Sequence, residues 1–443
     1  MTTRRITALI LALALWPAAA GAVLTIEITD GVSGARPVAV VPFAHPEDVK
    51  PNTDIAEVVA TDLARSGRFS PMDREELPAR PQKGGEMDMD SWREADQDHV
   101  LVGQVDQGAD GLVVRTQLMD PYREEQVFGY RFQVPQSGLR RLGHRLADRV
   151  YEEVLDRRGA FNTSMAYVRT EEESGDEPRY ILAVADADGR NEQTILDSGE
   201  PLMSPAWSPD GRRLAYVSFE GGRPGVWVQT VTSGSRERIG PASESRSAPA
   251  FSPDGRYLAW TRQDGDNTDI YITDLERGGD PVRVTRHWAI DTEPAWLPGG
   301  DGLIFTSDRA GSPQLYEVEL DDRARPVSNP ERLTYEGNYN ASADVAPDGR
   351  HVALVHRRNN DNGFRIAVLD REREGLEVVA DTTMGESPSF APNGDMILYA
   401  AERSGRGVLE SVSSDGRARQ RLGMDIGNVR EPAWSPFDAL TRN

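Results

Sequence analysis

The chain contains no cysteine, which removes disulfides, thiolate nucleophiles and cysteine-based zinc sites in one step. That absence is compatible with export, because 443 residues bury a core large enough to stand without covalent staples. Positive charge is scarce. Lys plus Arg number 50 against 72 Asp plus Glu, a formal net charge of −22. Such a field repels nucleic acid and anionic membrane surfaces, so partners must bind through neutral or locally complementary patches. There are six histidines: His45, His99, His144, His287, His351 and His356. They are scattered, with no H-x-x-x-H on a helical stretch, so no metal site is expected from them.

Long apolar runs are also missing, except at the N-terminus. There Arg4 and Arg5 precede the nine-residue run Ala8–Trp16 (ALILALALW), Pro17 breaks it, and Ala20-Gly21-Ala22 has the small-x-small form of a signal-peptidase site. The run is too short to span a bilayer. The expectation is a signal peptide over residues 1–22, cleavage between Ala22 and Val23, and a mature protein soluble in the periplasm.

What the sequence does have is a repeat. WSPDGRRLAY (Trp207–Tyr216) returns as FSPDGRYLAW (Phe251–Trp260), and the same line continues as WLPGG from Trp296, VAPDG from Val345, FAPNG from Phe390 and WSP from Trp434. The prolines fall at 209, 253, 298, 347, 392 and 436, a period of one four-stranded propeller blade. Within a unit, Pro-Asp-Gly is turn chemistry. Alternating strands follow at Arg256–Thr261 and Asp269–Leu275, with a short one at Val282–Thr285 and another before the turn. The first unit, Met165–Leu196, lacks its opening strand, and the closing Glu431–Pro436 is an opening strand with no blade after it. The two ends complete each other as a six-bladed ring without a long exposed edge.

Ahead of the repeat the grammar changes. Asp54–Ser66 places Ile55, Val58, Val59 and Leu63 on one helical face, His99–Gln104, Leu112–Leu118 and Gln126–Val134 alternate as strands, and a second helix runs over Ser137–Leu155. The loop Ala79–Met89 reads as mobile. The fold class is therefore mostly β with a smaller α/β part: an N-terminal α/β domain over 23–158, then a six-bladed β-propeller over 159–443 closed by the C-terminal strand.

No catalytic constellation emerges. A propeller peptidase needs a G-x-S-x-G hydrolase domain, and no such pentapeptide occurs. Asp210, Asp254 and Asp348 sit at equivalent places on separate blades, where they act as turn residues, and Trp207, Trp260, Trp296 and Trp434 fall at blade-core positions. No catalytic residue, metal ligand or cofactor is assigned. The lead is the ring of residues entering each innermost strand (Met203-Ser204, Ser247-Ala248, Thr292-Glu293, Ala341-Ser342, Glu386-Ser387 and Arg430-Glu431), whose small and polar side chains suit a protein-binding rim.

The line TIEITDGVSGARPVAVVPF (Thr25–Phe43), the domain order, TSDRAGSPQLY (Thr306–Tyr316) and EPAWSPF (Glu431–Phe437) together resemble the TolB family of the Tol–Pal system over essentially the whole mature chain. The resemblance implies a non-enzymatic periplasmic protein linking the inner-membrane Tol proteins, TolA among them, to the peptidoglycan-associated lipoprotein Pal, for outer-membrane integrity and constriction during division. It implies that Pal docks at the propeller mouth, on Ser245, Arg246, Ser247, Ala248, Thr292 and Glu293. It also implies that the tail Val23, Leu24, Thr25, Ile26, Glu27 and Ile28 binds TolA. Ser245 stands where the family has a histidine, Val23 where it has an acidic residue and Thr25 where it has a basic one. Independently, Val23–Ile28 is a short β-prone run able to add to a sheet edge. The alternative reading is a periplasmic propeller that binds or hydrolyses carbohydrate, which calls for convergent carboxylates in the channel.

Overall fold

The computed structural model describes residues 26–27, 34–171, 177–382, 384–424, 428–437 and 439; the expectations for Ala22, Val23, Leu24, Thr25 and Ile28 fall outside them. Residues from Arg36 onward build a five-stranded sheet in the order Phe69–Pro71, Arg36–Val40, His99–Gly108, Gly111–Asp120, Glu125–Val134. The first two pairings are parallel and the last two antiparallel. The helix Ile55–Arg65 starts where Asp54 accepts the Glu57 N–H at 3.0 Å, so a carboxylate satisfies one of the free donors of the first turn. Its apolar face and that of the helix Leu139–Leu155 close a core of Leu63, Leu101, Leu118, Leu139 and Leu146.

Residues 79–89, read from the sequence as a mobile loop, make specific contacts. The Gly84 N–H donates to Gln117 Oε1 at 2.9 Å and the Gln82 N–H to Glu86 Oε2 at 3.0 Å, and a short helix, Met89–Glu94, follows and buries Trp92. A lone tryptophan among polar neighbours carries too little periodicity to announce a helix.

The second body is a ring of six antiparallel sheets whose innermost strands are Asn428–Trp434 (blade one), Leu202–Trp207 (two), Ser245–Phe251 (three), Asp291–Trp296 (four), Tyr339–Val345 (five) and Glu386–Phe390 (six). Blade one is assembled from both ends, since Asn428–Trp434 pairs with Ser164–Glu171. The recurring turn explains the repeat. Ser208 Oγ donates to Asp210 Oδ1 at 2.6 Å and accepts the Arg213 N–H at 2.9 Å, and Gly211 completes the turn at φ 64°, a backbone that favours glycine. Ser252, Asp254 and Gly255 repeat it one blade on. Tryptophans tie blade to blade: Trp207 Nε1–H donates to the Ala433 carbonyl at 3.1 Å, and Trp296 Nε1–H to that of Ala250 at 3.0 Å.

The two bodies meet along blades one and six. Tyr151 donates its hydroxyl proton to Asp395 Oδ2 at 2.7 Å, Arg157 pairs with Asp395 at 2.7 Å, and Asn393 Nδ2–H reaches the Arg158 carbonyl at 3.1 Å. Ile26 and Glu27 add a fifth strand to blade six, antiparallel to Gln420 and Arg419.

Candidate functional site at the channel mouth

Each innermost strand breaks its register at one place. Ser204, Ala248, Glu293, Ser342, Ser387 and Glu431 all have left-handed backbones, with φ between 47° and 53°, and each sits inside a bulge such as Met203/Ala206 or Thr292/Ala295. None is glycine, so each carries a local cost of about 1 kcal/mol or more that the surrounding sheet must hold. The sequence signal was present but unread: five of the six are followed by proline, at 205, 249, 294, 388 and 432, and inside sheets proline is confined to edges and bulges. The bulge turns the strand and aims its residue into the channel, where all six line one cavity of about 530 Å³ that continues to the turn prolines Pro209, Pro253, Pro298, Pro347 and Pro436.

The acids of this ring brace it. Glu293 accepts from Thr306 Oγ1 (2.8 Å), the Ser342 N–H (2.9 Å) and the Ser342 hydroxyl (2.9 Å), so a side chain of blade four holds the bulge of blade five. Glu431 does the same from blade one to blade two, accepting the Ser204 N–H. Burial raises the Glu431 carboxyl above its ordinary range, with Glu386 and Glu293 adding repulsion, while the Ser204 N–H pulls it back. Burial likewise raises Glu386, with Arg430 opposing. Deeper in the wall, burial pushes Asp344 up to about 6, with the Phe390 N–H donating to it at 2.6 Å. Three carboxylates, Glu293, Asp344 and Glu431, line the channel, and Glu386 stands close enough to repel Glu431. Glu293, Glu431 and Asp344 are committed to backbone donors of the next blade, a framework task and not a sugar site's pair of free acids.

The expected rim residues separate. Ser247, Ala248, Thr292 and Glu293 stand at the bulges of blades three and four, and Ser247 Oγ meets Thr261 Oγ1 at 2.7 Å. Ser245 is half-buried at the strand start, opposite Gln263. Arg246 corrects the expectation of a rim contact. Its side chain is buried, stacked 3.9 Å over the Trp260 ring, with Nη1–H on the Ile239 carbonyl at 3.1 Å and Nη2 paired with Glu244 at 2.7 Å. In an innermost strand, successive residues alternate faces, and Arg246 falls on the packed one.

The mouth has a crown that sequence reasoning missed. Trp288 is 76% exposed and Tyr335 70%, and they are joined by Ile290, Met384 and Met203. Trp288 and Ile290 precede the strand from Asp291, Tyr335 precedes that from Tyr339, Met384 that from Glu386, and Met203 lies in blade two's innermost strand. All are on the side where innermost strands begin, the side of the bulges. Exposed large apolar groups on one face of a ring, contributed by four blades, are the usual sign of an interaction surface. Below them Asp291, fully buried, takes both oxygens to Arg309 Nη2 at 2.8 and 2.9 Å and anchors the strand that presents Thr292.

An α/β domain fused to a six-bladed ring, with an apolar crown over a rigid polar mouth, defines a propeller-type binding scaffold. Residues 24–127 match the family described as the TolB amino-terminal domain and residues 151–438 the TolB beta propeller domain. A Tol-Pal system protein TolB of Nitrosococcus oceani is 49% identical over 94% of both chains, and that of Thioalkalivibrio sulfidiphilus 47% over 98% of both. The crystal structure of TolB from Acinetobacter baumannii superposes with a TM-score of 0.84 at 37% identity, covering 93% of this chain and all of that one. The chain belongs to the TolB family and is a component of the Tol-Pal system.

Proposed function

We propose that the protein is a non-enzymatic periplasmic adaptor that binds the lipoprotein Pal at its propeller mouth and TolA through its N-terminal tail, serving outer-membrane integrity and constriction at division. The observation that carries the reading is the crown of Trp288, Ile290, Tyr335, Met384 and Met203 around the mouth that presents Ala248 and Thr292. Aromatic and methionine side chains on a rigid scaffold are the usual anchors of a protein interface. The tail's β-propensity supports the second contact: Ile26 and Glu27 already pair as the edge strand of blade six, and they can meet a partner's sheet edge either from their open side or by leaving the blade. Docking and release of this strand would couple the two partners.

Titration calorimetry of the exported chain against the periplasmic domain of its own Pal, and separately against that of TolA, tests the reading. Saturable binding of Pal is expected. Replacing residues 23–34 by a Gly/Ser stretch should abolish TolA affinity while leaving Pal binding in place. A folded chain that binds neither partner returns the mouth to the carbohydrate reading.

A further inference from the structure

Apart from the mouth, one cluster stands at the seam between the two bodies. His144, on the helix Leu139–Leu155, points across it at Asp186 and Asp188, which end and follow the second strand of blade one, Arg179–Asp186. One ligand atom from each of the three lies within 4.8 Å of the others, and His144 Nε2 stands 3.6 Å from Asp188 Oδ2. His144 is 2% exposed, and its Nε2 has no hydrogen-bond partner among the described residues. Its Nδ1 meets Asp62 Oδ2 at 2.6 Å. With Nδ1–H held by that carboxylate, Nε2 is the nitrogen left to face the two acids, and a cation bound there would displace any proton it carries, the arrangement that orients a metal-binding imidazole.

The geometry points to a divalent transition-metal site, best matched by Zn2+, with His144 Nε2, Asp186 and Asp188 as its protein ligands and Asp62 orienting the histidine. Tetrahedral zinc, with bonds of about 2.0–2.1 Å, separates its ligand atoms by roughly 3.4 Å; His144 Nε2 and Asp188 Oδ2 stand 3.6 Å apart, and all three ligand atoms lie within 4.8 Å, so Asp186 would close in on the ion. One nitrogen with two carboxylates favours zinc over calcium or magnesium, which take oxygen. The remaining position opens on a cleft of about 980 Å³ that Arg140, His144, Asp186 and Asn191 line, where water completes the sphere. Asp186 keeps one oxygen on Asn191 Nδ2–H at 2.6 Å and has a second to give. The helix reaches this place because Gly143 packs on Val58, where a Cβ would come within 2.7 Å.

Arg140 competes for the site, since its guanidinium donates to the same Asp188 oxygen. Its Nε has no partner among the described residues and its side chain lines the cleft, into which it must swing when a cation arrives. Arg65 pairs with Asp62 at 3.2 Å and donates to the Ala187 carbonyl, between the two acids, at 3.1 Å, so it stays in place as the ion binds on the other side of Asp188.

Calorimetric titration of ZnCl2 into the untagged, chelator-stripped exported chain tests the site. The expected result is one Zn2+ per chain, weakened more than about 100-fold by Asp188→Asn or His144→Gln and about 10–100-fold by Asp62→Asn. Arg140→Gln should tighten binding, an effect that a purely structural ion pair cannot produce. Asp186→Asn, at the half-buried end of its strand, serves as the ligand variant least able to disturb folding, and circular dichroism checks each protein. Because the ligands come from both bodies, saturating Zn2+ should also raise the melting temperature of the parent and not of Asp188→Asn. Absence of stoichiometric Zn2+ binding, or binding indifferent to all of these substitutions, overturns the assignment.

Discussion

At the scale of the residue, the mouth is built on six left-handed positions occupied by ordinary amino acids. Ala248→Gly relieves a backbone cost of about 1–2 kcal/mol and adds an unfolded-state entropy cost of about 0.4–1, so denaturant titration should show a net gain of about 0.5–1 kcal/mol. Ala248→Val, β-branched at the same φ, should instead lose about 1–2 kcal/mol. A loss on glycine substitution would mean that the bulge is not strained. Asp344 makes a second residue-scale prediction. Its folded carboxyl sits at about 6 against an ordinary 3.8, so the native state holds its proton more tightly than the unfolded chain. Its contribution is therefore neutral below about pH 4, becomes unfavourable between about 4 and 6, and stays so above. Asp344→Asn, which keeps an acceptor for the Phe390 N–H, should be indistinguishable from the parent at pH 3.5 and more stable by about 1–3 kcal/mol at pH 7.5. Equal stability at both values would place the carboxyl at an ordinary pKa.

At the scale of the element, two strands decide the architecture from opposite ends of the chain. Asn428–Trp434 is the innermost strand of blade one, and without it Ser164–Glu171 becomes an exposed edge beside an open ring. Ending the chain at residue 427 should cause aggregation or loss of cooperative unfolding in calorimetry; a monomer with an unchanged transition would show that ring closure is dispensable. The sequence made this strand legible, because EPAWSP could be matched against five earlier copies. It also made legible the helix beginning near Asp54, whose cap the sequence left open among Asn52, Thr53 and Asp54, and the Ser-Asp-Gly turns, all of which use local chemistry. The bulges were harder to read. Proline in five of the six copies signalled them, but Ser342-Ala343 reaches the same conformation with no proline at all, held from outside by Glu293. Arg246 and Trp288 show the remaining limit. A run of Ser-Arg-Ser-Ala does not reveal that the arginine stacks under the rim, nor does His-Trp-Ala-Ile reveal that the tryptophan faces solvent, because both depend on which neighbouring blade supplies a surface.

At the scale of the whole molecule, the α/β domain and the ring are joined by buried polar contacts and not by apolar area alone. Tyr151→Phe removes the donor to Asp395 Oδ2, a carboxylate that is 3% exposed, and should cost about 1–3 kcal/mol in thermal or chemical unfolding. No change would mean that Arg157 alone satisfies that carboxylate. Such a seam makes the tail strand on blade six and the mouth parts of one framework, as the proposed adaptor role would require. Net charge sets the manner of binding: at −22 the surface favours partners that meet it through apolar and neutral groups, and the crown supplies them.

The most direct measurement is the affinity of Pal for the parent and for Thr292→Arg, compared in one calorimetric series with folding verified. A bulky charge at the bulge of blade four, beneath the Trp288 crown, should weaken binding at least about 100-fold, a loss of about 2.7 kcal/mol or more. Affinity unchanged by the substitution would contradict the assignment of the mouth as the docking site.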